Sequence, residues 1–337
     1  MNNMNNRHTS IFLLGKHSLP KIYSEAAQSR IGELTRLKPK VLHYESWEAN
    51  RHELADVDFI FSGWGMHPMT EDFLSACPNL KYVFYGSGSI RSFYTEEAQS
   101  KGIRISSAWR ANAVPTAEYA HALIILALKK FYRSTRINMQ ERSWNLPPEA
   151  AGIYKSTVGI VSLGMVGRLV AEHLRDLHSL NVIAYDPYVS EADALSLGVE
   201  LTSLEDLFAQ SDVVSLHAPD LPETVELVSE ALLRSMKPHA TLINTARGKL
   251  IDEAMFAKVL TERKDLDAVL DVTRDEPNNA NCPLWDLPNV VISPHIAGSI
   301  NHECQRMGEY MVEELERYLA GKPMLHEVTP ELLLTMA

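Results

Sequence analysis

Three chemically capable side chains each follow a separate apolar run in the C-terminal half of the chain. Arg247 comes after Thr241-Leu-Ile-Asn-Thr-Ala, Glu276 after Ala268-Val-Leu-Asp-Val, and His295 after Val290-Val-Ile-Ser-Pro. An arginine never loses its proton in a protein, and its planar fork can grip a carboxylate while polarising the neighbouring carbonyl. Lysine would do this less well. A histidine gives or takes a proton near neutrality, and a carboxylate beside it fixes the tautomer and favours the imidazolium. A fixed cation, a proton carrier and a prop for that carrier are what interconversion of a 2-oxo acid and a 2-hydroxy acid needs besides a hydride source. Singly, Arg247 and Glu276 read as solvated loop residues and His295 as one of thirteen histidines. The set acquires meaning only if one sheet edge gathers it.

The pattern around these residues supplies such an edge. Short apolar runs alternate with helical patterns, which is how parallel α/β layers read in sequence. In the second half the candidate strands are Thr157 to Leu163, Asn181 to Tyr185, Val213 to His217, Ala240 to Thr245, Leu266 to Val272 and Val290 to Ser293. In a parallel sheet the carboxyl ends of all these strands share one side, where ligands bind. The first strand runs into Ser162-Leu-Gly164-Met-Val-Gly167 and then a helix with Val166, Leu169, Val170, Leu174 and Leu177 on one face. This is a dinucleotide fingerprint with its first glycine replaced by Ser162. Gly164 would admit a pyrophosphate, Gly167 would let helix pack on strand, and the helix N-terminus would hold the anion. The next strand ends at Asp186, placed to bind the adenosine ribose hydroxyls. From Asp176 to Leu233 there are twelve acidic residues and neither Lys nor Arg, so a 2′-phosphate would meet Asp186 unrelieved and NAD is favoured over NADP.

The first hundred residues form a second α/β unit. Its candidate strands are Ile11 to Leu14, Val41 to Tyr44, Asp58 to Ser62, Lys81 to Tyr85 and Ile103 to Ser106, with helices such as Tyr23 to Leu37 and Thr70 to Ala76 between them. Ser62-Gly-Trp64-Gly65 and Gly86-Ser87-Gly88 are then ligand-side loops. A linker helix is expected over Thr116 to Gln140, a loop over Trp144 to Gly152 with Pro147 and Pro148, and a final helix over Glu303 to Ala320. A length of 337 residues suits two domains. The formal charge of −11 argues against nucleic acid. Cys77, Cys282 and Cys304 are widely spaced, so neither a disulfide framework nor a metal site is expected. No signal-peptide core or membrane span is expected either, which points to a cytoplasmic protein.

As a set, Val158 to Gly167, Ala218 to Thr224, Asn244 to Glu253, Leu270-Asp-Val with Glu276-Pro277, Pro283-Leu-Trp and Asn289 to Gly298 resemble the D-isomer specific 2-hydroxyacid dehydrogenase family, from about Leu54 to Val328. The resemblance implies two Rossmann-like or flavodoxin-like parallel-sheet domains with a cleft between them and two crossing linker helices. The substrate-binding domain would be discontinuous, residues 1–107 plus 299–337, with an NAD-binding Rossmann domain over 108–298 and closure assembling the site. It further implies NAD contacts from Met165, Val166, Ala218, Thr245, Ala246, Arg247, Asp271, His295 and Gly298. The substrate carboxylate would meet Ser87 and Gly88 amides, with Trp64 beside it. Arg247, Glu276 and His295 would take the roles argued above. A homodimer through the NAD domain is implied, with the Trp144 loop in the contact or else packed on its own domain. An NAD-sensing, corepressor-like scaffold is the alternative to an enzyme.

Some positions depart from the family pattern. Ser162 replaces the usual glycine, and Met165 stands where a polar or basic residue often assists the pyrophosphate. Ser162→Gly is therefore expected to tighten NAD binding if the turn needs positive φ. Ile90 replaces a common acid and, with Arg91, is expected to reshape the outer pocket. Met66, Tyr85, Trp109 and Trp285 are further candidates to line it. The extra C-terminal regulatory domain of some phosphoglycerate dehydrogenases is not expected.

Overall fold

A computed structural model describes residues 7–146, 150–177, 179–277 and 280–336. Pro147 and Pro148 of the expected loop lie outside them. The chain divides into two compact units, one of Met1–Asn112 with Ser299–Ala337 and one of Ala113–Gly298. Both are parallel α/β structures.

In the first unit the strands are β1 (Thr9–Leu13), β2 (Arg36–Leu42), β3 (Phe59–Ser62), β4 (Tyr82–Tyr85) and β5 (Arg104–Ser107), in the order β2-β1-β3-β4-β5. The helices among them are α1 (Leu19–Ile22), α2 (Glu25–Leu34), α3 (Glu71–Ala76) and α4 (Glu96–Ser100). A Ser or Thr marks the start of α2, α3 and α4. Ser24, Thr70 and Thr95 each accept a hydrogen bond from the backbone N–H three residues on, which satisfies a donor the helix cannot. The expected helix from Tyr23 to Leu37 is shorter, because Leu34 is its last residue and β2 begins at Arg36, five residues before the apolar run that suggested it. Pro39 in that strand is tolerated because β2 is the sheet edge.

Buried Tyr23 organises the ligand-side end of this sheet. Its hydroxyl donates to Ser62 O at 2.8 Å and to Phe84 O at 3.1 Å, joining the ends of β3 and β4. Gly63 and Gly86 follow those ends, and a Cβ on either would lie within 2.5 Å of Ile22. Glycine at both positions leaves the room that the Ile22 side chain fills.

The expected linker helix is two helices. One, α5 (Trp109–Leu128), starts seven residues earlier than expected and carries Pro115 inside it; the other is α6 (Phe131–Glu141). Between them Lys130 adopts the left-handed conformation at φ 53°. Its ammonium is buried against His239 O, Thr241 Oγ1 and Asp267, so the break is imposed by a tertiary polar contact that periodicity does not reveal. By length and composition α5 is apolar enough to cross a bilayer, and more than half of it is buried within the protein.

The second unit adds β6 (Thr157–Val161), α7 (Met165–Arg175), β7 (Asn181–Tyr185), α8 (Glu191–Ser196), β8 (Glu200–Leu201), α9 (Leu204–Gln210) and β9 (Val213–Leu216). Then come α10 (Glu230–Ser235), β10 (Thr241–Asn244), α11 (Glu253–Glu262), β11 (Asp267–Leu270) and β12 (Val290–Ile292). The two-residue β8 has too little pattern to be seen in sequence. Strand order is β12-β11-β10-β9-β6-β7-β8, so the order reverses at β6 and the turn after it sits at the switch point of the sheet. The chain returns to the first unit with α12 (His302–Leu319) and α13 (Pro330–Thr335).

Candidate active site

Register aligns the strand ends. Asn244 pairs with Leu270 and Leu270 with Ile292, all at the carboxyl edge of the second sheet. Arg247, Glu276 and His295 follow those ends in the chain.

His295 Nδ1 lies 2.5 Å from Glu276 Oε2, and Glu276 Oε1 accepts from the Thr273 N–H at 3.2 Å. An ionised carboxylate at Nδ1 calls for a proton there, which directs the remaining nitrogen, Nε2, to exchange with a ligand. The His295 side chain is 53% exposed. Its backbone is at φ 53°, a conformation rare outside glycine and asparagine.

What holds it there is Asp271. This residue is 1% exposed, and its carboxylate accepts from Ser293 Oγ at 2.5 Å, Ile296 N at 3.0 Å and Ala297 N at 2.8 Å. The Asp271 carbonyl also accepts from the His295 N–H at 2.9 Å. Tyr119 OH donates to Ser293 Oγ at 3.0 Å from α5. The resemblance assigned Asp271 a cofactor contact. In the structure its carboxylate is engaged by the loop that carries His295, a role that no local pattern announces.

Arg247 is partly buried and, among the described residues, forms no ion pair. Among those residues the guanidinium makes one hydrogen bond, from Nη1 to Ala246 O at 2.7 Å. Burial pushes the guanidinium below the usual arginine value, while the charges of Asp220 and Glu276 act the other way. The turn before it is built by Asn244, whose side chain accepts from Ala246 N at 3.0 Å and donates to Arg247 O at 2.9 Å. Gly248 closes it against the neighbouring loop, since a Cβ there would fall 2.0 Å from Thr273 O. The Arg247 turn and the Glu276 loop are thus pressed together by backbone contact.

The fingerprint turn matches its expected context. Ser162 is at φ 78°, so the position does require left-handed backbone. Its N–H donates to Tyr185 O at 2.8 Å, and Gly167 packs so closely that a Cβ would lie 2.1 Å from Ser162 O. Asp186 accepts from Ser162 Oγ at 3.2 Å, Leu163 N at 2.7 Å and Tyr188 N at 2.9 Å. Gly164 is the N-cap of α7 and offers no side chain to its free amides. A Cβ on it would meet nothing nearer than Ser162 Oγ at 3.9 Å. Arg168, which the sequence reading passed over, donates from Nε to Leu163 O at 2.9 Å in the same turn. Thr245 Oγ1 is buried with no partner among the described residues. Free amides at a helix start, a carboxylate at the next strand end and an orphaned hydroxyl at a third all fit a dinucleotide. His217, next to Ala218, is buried, and that burial pushes it down to about 4.

In the first unit, partly exposed Trp64 sits in the loop after β3. The Ser87 amide is spent on Tyr85 O at 2.8 Å, so it is not the free donor expected; the Gly88 and Ser89 amides have no partner among the described residues. Ile90 is fully buried, and Met66 and Tyr85 are buried with it in the core of the first unit. Arg91 donates to Leu333 O and Met336 O near the C-terminus.

The comparisons define first a class of domain. The model of the D-isomer specific 2-hydroxyacid dehydrogenase NAD-binding domain matches residues 122–297. The chain belongs to that family and carries its NAD-binding domain. It is 36% identical over 250 residues to D-3-phosphoglycerate dehydrogenase of Mycobacterium bovis, covering 74% of this chain and 47% of that protein. This chain therefore spans about half the length of such curated relatives. It is 32% identical over 271 residues to glyoxylate reductase of Korarchaeum cryptofilum, covering 79% of this chain and 80% of that one. A solved glyoxylate reductase from Paecilomyes thermophila superposes with a TM-score of 0.78 at 26% identity, over 96% of this chain and 99% of that one.

Two substitutions test the geometry. The Ser162 turn is held by contacts of the fold itself, so its strain is a folding cost and should appear in stability before affinity. Ser162→Gly is expected to gain about 1 kcal/mol, read as a higher Tm, with an NADH Kd no weaker than that of the parent. Asp271→Asn leaves an amide group facing backbone N–H donors and should cost about 1–3 kcal/mol in denaturant unfolding. An unchanged midpoint would show that Asp271 does not hold the loop.

Proposed function

We propose that the protein is an NAD-dependent dehydrogenase interconverting a small 2-oxo acid and the D-2-hydroxy acid. The observation that carries this reading is the His295–Glu276 pair at 2.5 Å on the same sheet edge as Arg247, a guanidinium with no carboxylate partner among the described residues. The α7 amides of Met165 and Val166, with Gly164, Gly167, Asp186, Ala218, Thr245, Ala246, Asp271 and Gly298 around them, would hold NAD. The first unit would bind substrate and the second the cofactor.

Bound NADH would supply the hydride to the carbonyl carbon. Arg247 would hold the substrate carboxylate and draw electron density toward the carbonyl oxygen. As the C=O π pair moves onto oxygen, His295 Nε2 gives up its proton to it, and the imidazole is reprotonated from solvent. Glu276 steadies the imidazolium at Nδ1. In the reverse direction the neutral ring takes the hydroxyl proton. Among the first-unit loops, the Gly88 amide is assigned to the substrate carboxylate, with the side chain of Trp64 beside it.

A homodimer is also proposed, with its contact on the second unit. Trp144 is 94% exposed, so it is not packed on its own domain, and Leu146 and Met139 are exposed as well, at 86% and 81%. A second copy is the partner this patch suits. Sedimentation should give a dimer, and Trp144→Glu should convert it to monomer; a monomeric parent protein would end the proposal.

Mixing the protein with NADH and a panel including glyoxylate, hydroxypyruvate and a phosphorylated analogue should give absorbance loss with at least one acid. His295→Asn is expected to lower turnover by about 10² or more. Reduction consumes a proton, so its optimum should lie at lower pH than that of oxidation. No consumption with any acid, together with NADH-dependent change of oligomeric state, would replace the enzyme with an NAD sensor.

A further inference from the structure

Ser107 ends β5, paired in register with Tyr85 at the end of β4, and is fully buried. Its hydroxyl donates to Ser87 O at 2.8 Å and to Gly88 O, so one buried proton is shared by two successive carbonyls of the loop after β4. Its own N–H donates to His326 O at 3.0 Å, which fixes the serine to the C-terminal segment.

In a trans peptide the C=O and the following N–H point in opposite directions. Drawing Ser87 O and Gly88 O toward β5 therefore turns the Gly88 and Ser89 N–H groups away from it. Those are the two amides of the loop without a partner among the described residues, whereas the Ser87 amide is taken by Tyr85 O. A Cβ on Gly88 would have only Asn112 Nδ2 near it, at 3.8 Å. Asn112 is itself oriented through Oδ1, which accepts from the Ser299 N–H at 2.9 Å. The far end of the loop is anchored too, by buried Ile90 and by Arg91, which bonds Met336 O at 2.8 Å and Leu333 O at 2.6 Å.

We propose that Ser107 is a positioning residue that aims the Gly88 and Ser89 amides as paired donors for the substrate carboxylate. The inference rests on the reading above that this loop receives the carboxylate of a 2-oxo acid. Two N–H donors whose peptide carbonyls are tied to one buried hydroxyl are preorganised for a carboxylate, and a loop free to rotate its peptide planes loses that advantage.

Ser107→Ala should raise KM for the 2-oxo acid about tenfold, the equivalent of about 1.4 kcal/mol, with kcat within about twofold and NADH Kd unchanged. Ser106→Ala is the control. It removes an equally buried hydroxyl from the same strand, one bonded to Tyr82 OH and Glu314 and not to the loop. It should lower Tm without moving KM. A folded Ser107→Ala with parental KM, or an equal rise in Ser106→Ala, overturns the proposal. If Ser107→Ala does not fold, the exposed Arg91→Ala decides, with a KM rise of about threefold expected from loss of the other anchor and an unchanged KM counting against it. A turnover-independent readout separates this proposal from the enzyme reading: on titration with oxamate, the amide resonances of Gly88 and Ser89 should shift in the parent protein and less in Ser107→Ala. Such shifts without turnover of any 2-oxo acid would sink the dehydrogenase and keep the loop. Turnover without those shifts would do the opposite.

Discussion

The candidate site depends on a buried carboxylate that is expected to touch no substrate. Asp271 is sealed from water, and a charge in that position is tolerable only if its lone pairs are filled. They are filled by Ser293 Oγ and by the amides of Ile296 and Ala297, all from the segment that carries His295. The desolvation cost of one side chain thus becomes a constraint on five consecutive residues. That constraint holds His295 in a left-handed conformation it would not choose, with its ring against Glu276. Shifting the loop would leave the carboxylate unsatisfied, so the ring is held where it is.

Close backbone approach is the second device, and glycine makes it possible. Gly248 brings the Arg247 turn against Thr273, and Gly167 brings α7 against Ser162. A methyl group at either place would separate the chain segments that carry the chemistry. Ser162 shows the opposite case, a residue with a side chain where the turn demands positive φ. Its hydroxyl reaches Asp186, which also accepts the Leu163 amide. The strained turn and the carboxylate expected to read the ribose are therefore one bonded assembly.

The first unit is organised by hydroxyl groups instead. Tyr23 ties the ends of β3 and β4, and Ser107 ties the loop after β4 to β5. Behind Ser107, buried Glu314 on α12 accepts from Ser106 Oγ and from the Leu325 and His326 amides. The C-terminal segment is thereby fastened to the last strand of the sheet. Each of these hydroxyls is buried where a partner is compulsory, so each fixes its loop with little freedom.

Parallel strands, the glycine turn and the residues at strand ends were legible in the sequence because they follow from local rules: apolar runs, capping residues and a fixed distance from strand to turn. That is why Gly164, Gly167, Asp186, Arg247, Glu276 and His295 stand out in the sequence, and why the sequence by itself resembles its family. Long-range pairing decided the rest. Nothing near Lys130 in sequence announces the carbonyl of His239 that breaks the helix, nothing near Asp271 announces a loop two dozen residues away, and nothing near Ser107 announces the carbonyls of Ser87 and Gly88. Whether a polar group is free or engaged depends on partners distant in the chain, and only the folded molecule brings those partners together.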